Sequence, residues 1–141
     1  MYKKIVLAVD GSEVGKNAAK HAVALAKSTG GKLIAVHVIP PFSVTEIESF
    51  KPDTIMKGLR EEGEKILSDV KEIASKDGVQ VDARIEDGIP YDRICEVAEE
   101  TGADLIVMGS HGRTGIGKVF IGSVAERVIG KIKCCPVLVV K

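Results

Sequence analysis

Residues 103–126 read ADLIVMGSHGRTGIGKVFIGSVAE, and their order decides the fold. Ala103 to Gly109 is apolar almost throughout, as in a central strand buried on both faces of a sheet. A glycine-rich stretch follows. Ser123-Val124-Ala125-Glu126 then forms a capping-box pattern that opens a helix running to Lys131. A buried strand that passes through a glycine loop into a helix is the repeating unit of a parallel α/β sheet.

The same alternation extends outward in both directions. Lys3 to Asp10, KKIVLAVD, is a strand closed by Asp10-Gly11-Ser12, a turn and helix-start signal. Glu13 to Ser28 places Ala18, Ala22, Leu25 and Ala26 on one face, a helix that packs closely through small residues, and Gly30-Gly31 ends it. Lys32 to Val38 is a second strand, stopped by Pro40-Pro41. Ile55, Leu59, Ile66, Leu67, Val70, Ile73 and Ala74 recur at helical spacing across Asp53 to Lys76. Val79 to Ile85 alternates strictly, which predicts an edge strand exposed on one face. Pro90 suits the first turn of a third helix over Tyr91 to Thr101, and Pro136 to Val140 is a fifth strand. The order βαβαβαβαβ predicts one domain over residues 1–141, a doubly wound α/β fold with right-handed crossovers and helices on both faces. The Ile39 to Pro52 connection is longer than usual, either a lid or a variable excursion.

Composition narrows the function classes. The 141 residues carry 20 basic and 20 acidic side chains, so no basic excess points to nucleic acid. Scarce aromatics argue against single-strand stacking platforms. Apolar runs such as Ile5 to Val9 and Leu105 to Met108 are too short to span a bilayer, and Met-Tyr-Lys-Lys enters a strand without signal-peptide architecture. Cys95, Cys134 and Cys135 form no CxxC pair, which suits a reducing, cytoplasmic compartment.

In such folds ligands collect beyond the carboxyl ends of the strands, where the strand order reverses. Two strand ends are unlike the rest: Asp10-Gly11-Ser12, and the set Gly109, Gly112, Gly122 and Ser123. If those strands are neighbours, the glycines let backbone N–H groups approach an anion, and the N-terminus of the fourth helix favours phosphate. Blander roles compete. Asp10 could simply close a turn, and Ser123 could be a plain N-cap paired with Glu126. His111 fits a turn residue, His21 a solvent-facing one and His37 a structural one. Gly112 to Lys118 satisfies the GxxxxGK half of a P-loop, but Val119 stands where the Mg²⁺-binding hydroxyl is needed. Arg113 and Lys118 either neutralise phosphate or are solvated loop cations. Cys134-Cys135 is more simply packing than a redox pair.

The spacing G-x2-G-x9-G-S, together with IVLAVDGS, AVHV, GIPYDRICEVAEE, DLIVMGSHGRTG and CPVLVV, resembles the universal stress protein family across the whole chain. The resemblance implies a Rossmann-like five-stranded parallel sheet in order 3-2-1-4-5 that binds ATP or AMP with Mg²⁺. Asp10 would contact the ribose or a phosphate-bound metal, with Ala8 and Val9 lining the pocket. Val38 would meet the adenine edge through its backbone, Met108 and Gly109 would lie under ribose and adenine, and Gly112, Gly122, Ser123 and Val124 would wrap the phosphates. The expected role is a nucleotide-dependent regulatory module or switch in the stress response, read by an unidentified protein partner. A slow ATPase or a phosphoryl or nucleotidyl transferase using the same site is the alternative. The fifth strand, Val137-Leu138-Val139-Val140, is apolar on both faces yet expected at an edge, which predicts a homodimer through it.

Overall fold

The computed structural model describes residues 1–42, 51–111 and 121–141. Five strands, β1 (Lys4–Ala8), β2 (Lys32–Ile39), β3 (Val81–Asp87), β4 (Leu105–Gly109) and β5 (Val137–Val140), alternate with four helices. The helices are α1 (Glu13–Thr29), α2 (Pro52–Lys76), α3 (Pro90–Thr101) and α4 (Ser123–Lys131). The sheet is parallel throughout, in the order β3-β2-β1-β4-β5. The expected doubly wound architecture is therefore found, with β1 beside β4 where the order reverses.

Alternation along the buried strands divides the interior in two. Ile5, Leu7, Leu33, Ala35, Leu105 and Val107 face α1 and α2, whereas Val6, Ile34, Val36, Ile106 and Met108 face α3 and α4. Small side chains let α1 lie close to the sheet: Gly15, Ala18, Ala19, Ala22 and Ala26 are all buried. Burying each valine, leucine or isoleucine contributes roughly 1.5–3 kcal/mol, so both faces are needed to offset the entropy of ordering the chain. None of the described helices is long and apolar enough to cross a membrane.

The amino ends of β1 and β4 are tied together. The Asp104 carboxylate accepts from the Lys3 N–H at 2.9 Å and the Lys4 N–H at 3.2 Å. Helix α1 is closed at both ends. The Ser12 hydroxyl accepts from the Gly15 N–H at 3.0 Å, and Gly30 takes the left-handed conformation (φ 70°) that terminates it.

Two local expectations are corrected. Strand β3 begins at Val81, not Val79, because the Val79 N–H closes α2 by donating to the Ala74 carbonyl at 3.0 Å. It does occupy the sheet edge. Helix α4 is capped by Gly122, and Ser123 is its first helical residue, with no side-chain cap bond. The reason is a fixed approach. The Gly122 N–H donates to the Ser110 carbonyl, and the Gly122 carbonyl accepts from the Glu126 N–H at 3.0 Å, so the helix starts one residue early.

These two serines therefore respond differently to truncation. Ser12→Ala should lower the unfolding free energy by about 1 kcal/mol, and Ser123→Ala by no more than a few tenths. Denaturant unfolding of both variants checks this; equal losses would restore Ser123 as a cap.

Candidate functional site

Beyond the carboxyl ends of β1 and β4, two glycines sit in close approach, Gly109 to the Val14 side chain and Gly122 to main chain. A Cβ on Gly109 would lie 2.7 Å from Val14 Cγ1, so the first turn of α1 rests directly on the end of β4. A Cβ on Gly122 would lie 2.9 Å from His111 Cα and 3.1 Å from the Ser110 carbonyl oxygen. Gly122 is thus a backbone constraint, and even a methyl group there displaces main chain. Ser110, which the sequence did not single out, organises this end: its N–H donates to the Val140 carbonyl at 2.7 Å, and its carbonyl holds Gly122. It is also the buried polar residue of the described core, its hydroxyl 3.0 Å from His111 Nδ1.

Asp10 stands at the end of β1, half-buried. Its Oδ1 accepts from the Ser12 N–H at 2.9 Å across Gly11, whose φ of 86° makes the turn. The turn-closing role is real, and it uses one oxygen. Oδ2 has no hydrogen-bond partner among the described residues. Gly15 leaves room for this carboxylate, since a Cβ there would sit 3.1 Å from Oδ1.

An apolar shelf adjoins these groups. Ala8, Val38, Ile121 and Val124 are partly buried against the α3–α4 side of the core, beside fully packed Met108. Val9, expected to line the same pocket as Ala8, points to the opposite face and is buried among α1 and α2 residues. Strand alternation requires that, because adjacent side chains take opposite faces. Gly112 and Arg113, with Lys118 and part of the 39–52 loop, lie outside the described residues.

Charges near the shelf are largely spoken for. Glu86, the cross-strand neighbour of Val38, lies 2.7 Å from Arg84 and 2.8 Å from Arg93. The Arg93 hydrogen bond holds its carboxyl below the usual range against the opposing effect of burial, with Arg84 adding to the shift. On the other face, a cavity of about 220 Å³ lies between α1 and α2, with Val9 and Ile73 in its apolar wall and Lys16, Lys65, Glu62 and Asp69 around it. Gly11 and Gly15 also line it, and its charges are of both signs.

Cys95 and Cys135 are not poised for chemistry. Burial pushes the Cys95 thiol up and, with Cys134 alongside, the Cys135 thiol up to about 12. Cys134 and Cys135 are unbridged, their sulfurs 3.7 Å apart. Cys134 is exposed, so the packing role expected of the pair applies to Cys135 alone.

The family model of the universal stress protein family matches residues 1–141. The chain belongs to the universal stress protein family. Universal stress protein MJ0531 of Methanocaldococcus jannaschii is 45% identical over 143 residues, covering 100% of this chain and 83% of that protein. The solved structure of MJ0577, from the same organism, superposes with a TM-score of 0.88 at 38% identity, covering 100% of this chain and 96% of the other. The universal stress protein of Archaeoglobus fulgidus in complex with dAMP has a TM-score of 0.73 at 29% identity, covering 99% and 98%. Strand order, strand polarity and two-faced helix packing in this universal stress protein are those of a doubly wound, Rossmann-like α/β fold.

Proposed function

We propose that this universal stress protein binds ATP or AMP in the crevice beyond β1 and β4, and that occupancy is read by a protein partner. The carrying observation is the close backbone approach at Gly122, at the N-terminus of α4, which has no side-chain cap, with Gly109 packed on Val14 at the end of β4. The first-turn N–H groups of that helix, including Val124, are then available to phosphate oxygens. Among the described residues, Ser123 completes the cradle. Met108, Gly109, Ala8 and the shelf valines Val38 and Val124 supply the apolar bed for ribose and base. The dAMP complex of the A. fulgidus relative supports the adenine-nucleotide class.

The residues also fit a phosphate-bound Mg²⁺. That ion takes one or two carboxylates and fills its shell with phosphate oxygens and water, and Asp10 offers one oxygen that the turn does not use. A bound Mg²⁺ would neutralise phosphate charge. Asp10 holds its place because Oδ1 is tethered to the Ser12 N–H.

Asp10→Asn separates the two duties of this residue, since the amide keeps an oxygen for Ser12 but loses the charge. In Mg²⁺ it should weaken ATP by about tenfold or more, the worth of a charge-assisted contact, and by much less in EDTA. Calorimetric titration of wild type and variant checks this, with circular dichroism confirming the fold. An equal loss in both buffers would remove the metal role, and no ATP binding by wild type would remove the proposed function.

We further propose a homodimer through β5. Its outer edge has no partner strand in the sheet order, and Leu138 is 36% exposed on it. A second copy pairing along Val137, Leu138, Val139 and Val140 would cover that edge. Leu138→Lys should convert dimer to monomer in light scattering; an unchanged dimer would place the interface elsewhere.

A further inference from the structure

His37 ends the β1–β2 ladder one rung early. Main-chain groups of β2 alternate in direction. The Lys32 N–H donates to the Lys3 carbonyl at 2.9 Å, and the Val36 carbonyl accepts from the Val9 N–H at 3.0 Å, so even-numbered residues face β1. The Leu33 N–H donates to the Gln80 carbonyl at 3.0 Å, and the Ile39 carbonyl accepts from the Gly88 N–H at 3.1 Å, so odd-numbered residues face β3. Val38 therefore turns both its N–H and its C=O toward β1, at a level where β1 has already ended at Ala8.

A regular parallel ladder would still add one bond, from the Val38 N–H to the Val9 carbonyl. That carbonyl is instead 3.0 Å from His37 Nδ1. A carbonyl oxygen only accepts, so Nδ1 carries the proton and donates. Helix α2 makes space for the ring: a Cβ on Gly63 would lie 2.8 Å from His37 Cδ2. Both features have one effect. The imidazole takes up the Val9 carbonyl at the end of β1, and among the described residues the Val38 N–H and C=O have no partner on the β1 side.

We infer that His37 is a positioning residue for base recognition, keeping the Val38 N–H free beside a C=O that the turn at Gly11 already leaves open, so that both read the ligand's purine edge; this rests on the nucleotide-binding proposal above. One donor and one acceptor on a single strand edge match the N1 acceptor and N6 amino donor of adenine. Hypoxanthine presents the reverse, an N1–H donor and an O6 acceptor. The selectivity set by this edge is thus for a 6-aminopurine over a 6-oxopurine, by main chain alone.

Three proteins test it: wild type, His37→Leu, which loses the donor, and His37→Asn, whose Nδ2 can reach the same carbonyl. The readouts are Val38 amide hydrogen exchange by NMR without nucleotide, and titrations with ATP, ITP and tripolyphosphate. In wild type the Val38 amide should exchange fast when free and become protected with ATP. In His37→Leu it should be protected without nucleotide, because the rung to Val9 closes. ATP affinity should then fall about tenfold, the worth of one or two hydrogen bonds, with the ATP-over-ITP preference largely lost and tripolyphosphate affinity unchanged. His37→Asn should restore wild-type behaviour. Wild-type exchange and ATP-over-ITP preference in His37→Leu would overturn the inference. Should His37→Leu not fold, the wild-type ring decides: an Nδ1-protonated tautomer with a fast-exchanging Val38 amide supports the inference, and a protected amide overturns it. Wild type that binds no ATP defeats the functional proposal instead, and the exchange data still decide the role of His37 at the ladder's end.

Discussion

At Gly109 and Gly122, a methyl group's worth of space separates a closed sheet end from a broken one. The end of β4 touches the first turn of α1 through Val14, and the chain returning into α4 touches the Ser110–His111 backbone. Larger residues at either point would push α1 or α4 away from the strands. Such displacement would also move the N–H groups that the helix N-termini present. Close approach therefore sets both the packing of this end and the shape of the crevice between β1 and β4.

The two ends of the sheet contrast in how backbone polarity is handled. At the amino end, Asp104 takes up the N–H groups of Lys3 and Lys4 and ties β1 to β4. At the carboxyl end, Ser110 ties β4 to β5 and to Gly122, His37 stops the β1–β2 ladder, and Asp10 folds the chain into α1. Each of these contacts ends a strand. An unpaired main-chain group there faces a crevice, where water or a ligand can satisfy it, and avoids the roughly 1–3 kcal/mol that a buried unmade bond costs.

Much of this was legible in the sequence because periodicity is a direct imprint of burial. The apolar run at β4, the small-residue face of α1 and the alternation before α3 all report which sides are covered, and the helix and strand order follows. Gly109 and Gly122 were legible for a related reason, since one ends β4 and the other precedes α4. What escaped were contacts made by hydrogen bonds between residues distant in sequence. Ser123-Val124-Ala125-Glu126 has the pattern of a capping box, but Ser110 captures Gly122 and shifts the start of α4. Val9 is a different case, since period-2 alternation alone puts it on the face opposite Ala8. His37 looked merely structural, and only the shared carbonyl of Val9 reveals what its ring displaces.

The proposed nucleotide site is the β1–β4 crevice on the α3–α4 side, not the α1–α2 cavity. An amide chemical-shift map of the full chain during ATP titration separates the two places. Saturable shifts should concentrate at Asp10, Val38, Gly109, Ser123 and Val124, leaving Lys65, Asp69 and Ile73 unmoved. Shifts centred on those α1–α2 cavity residues, with the crevice unaffected, would contradict it.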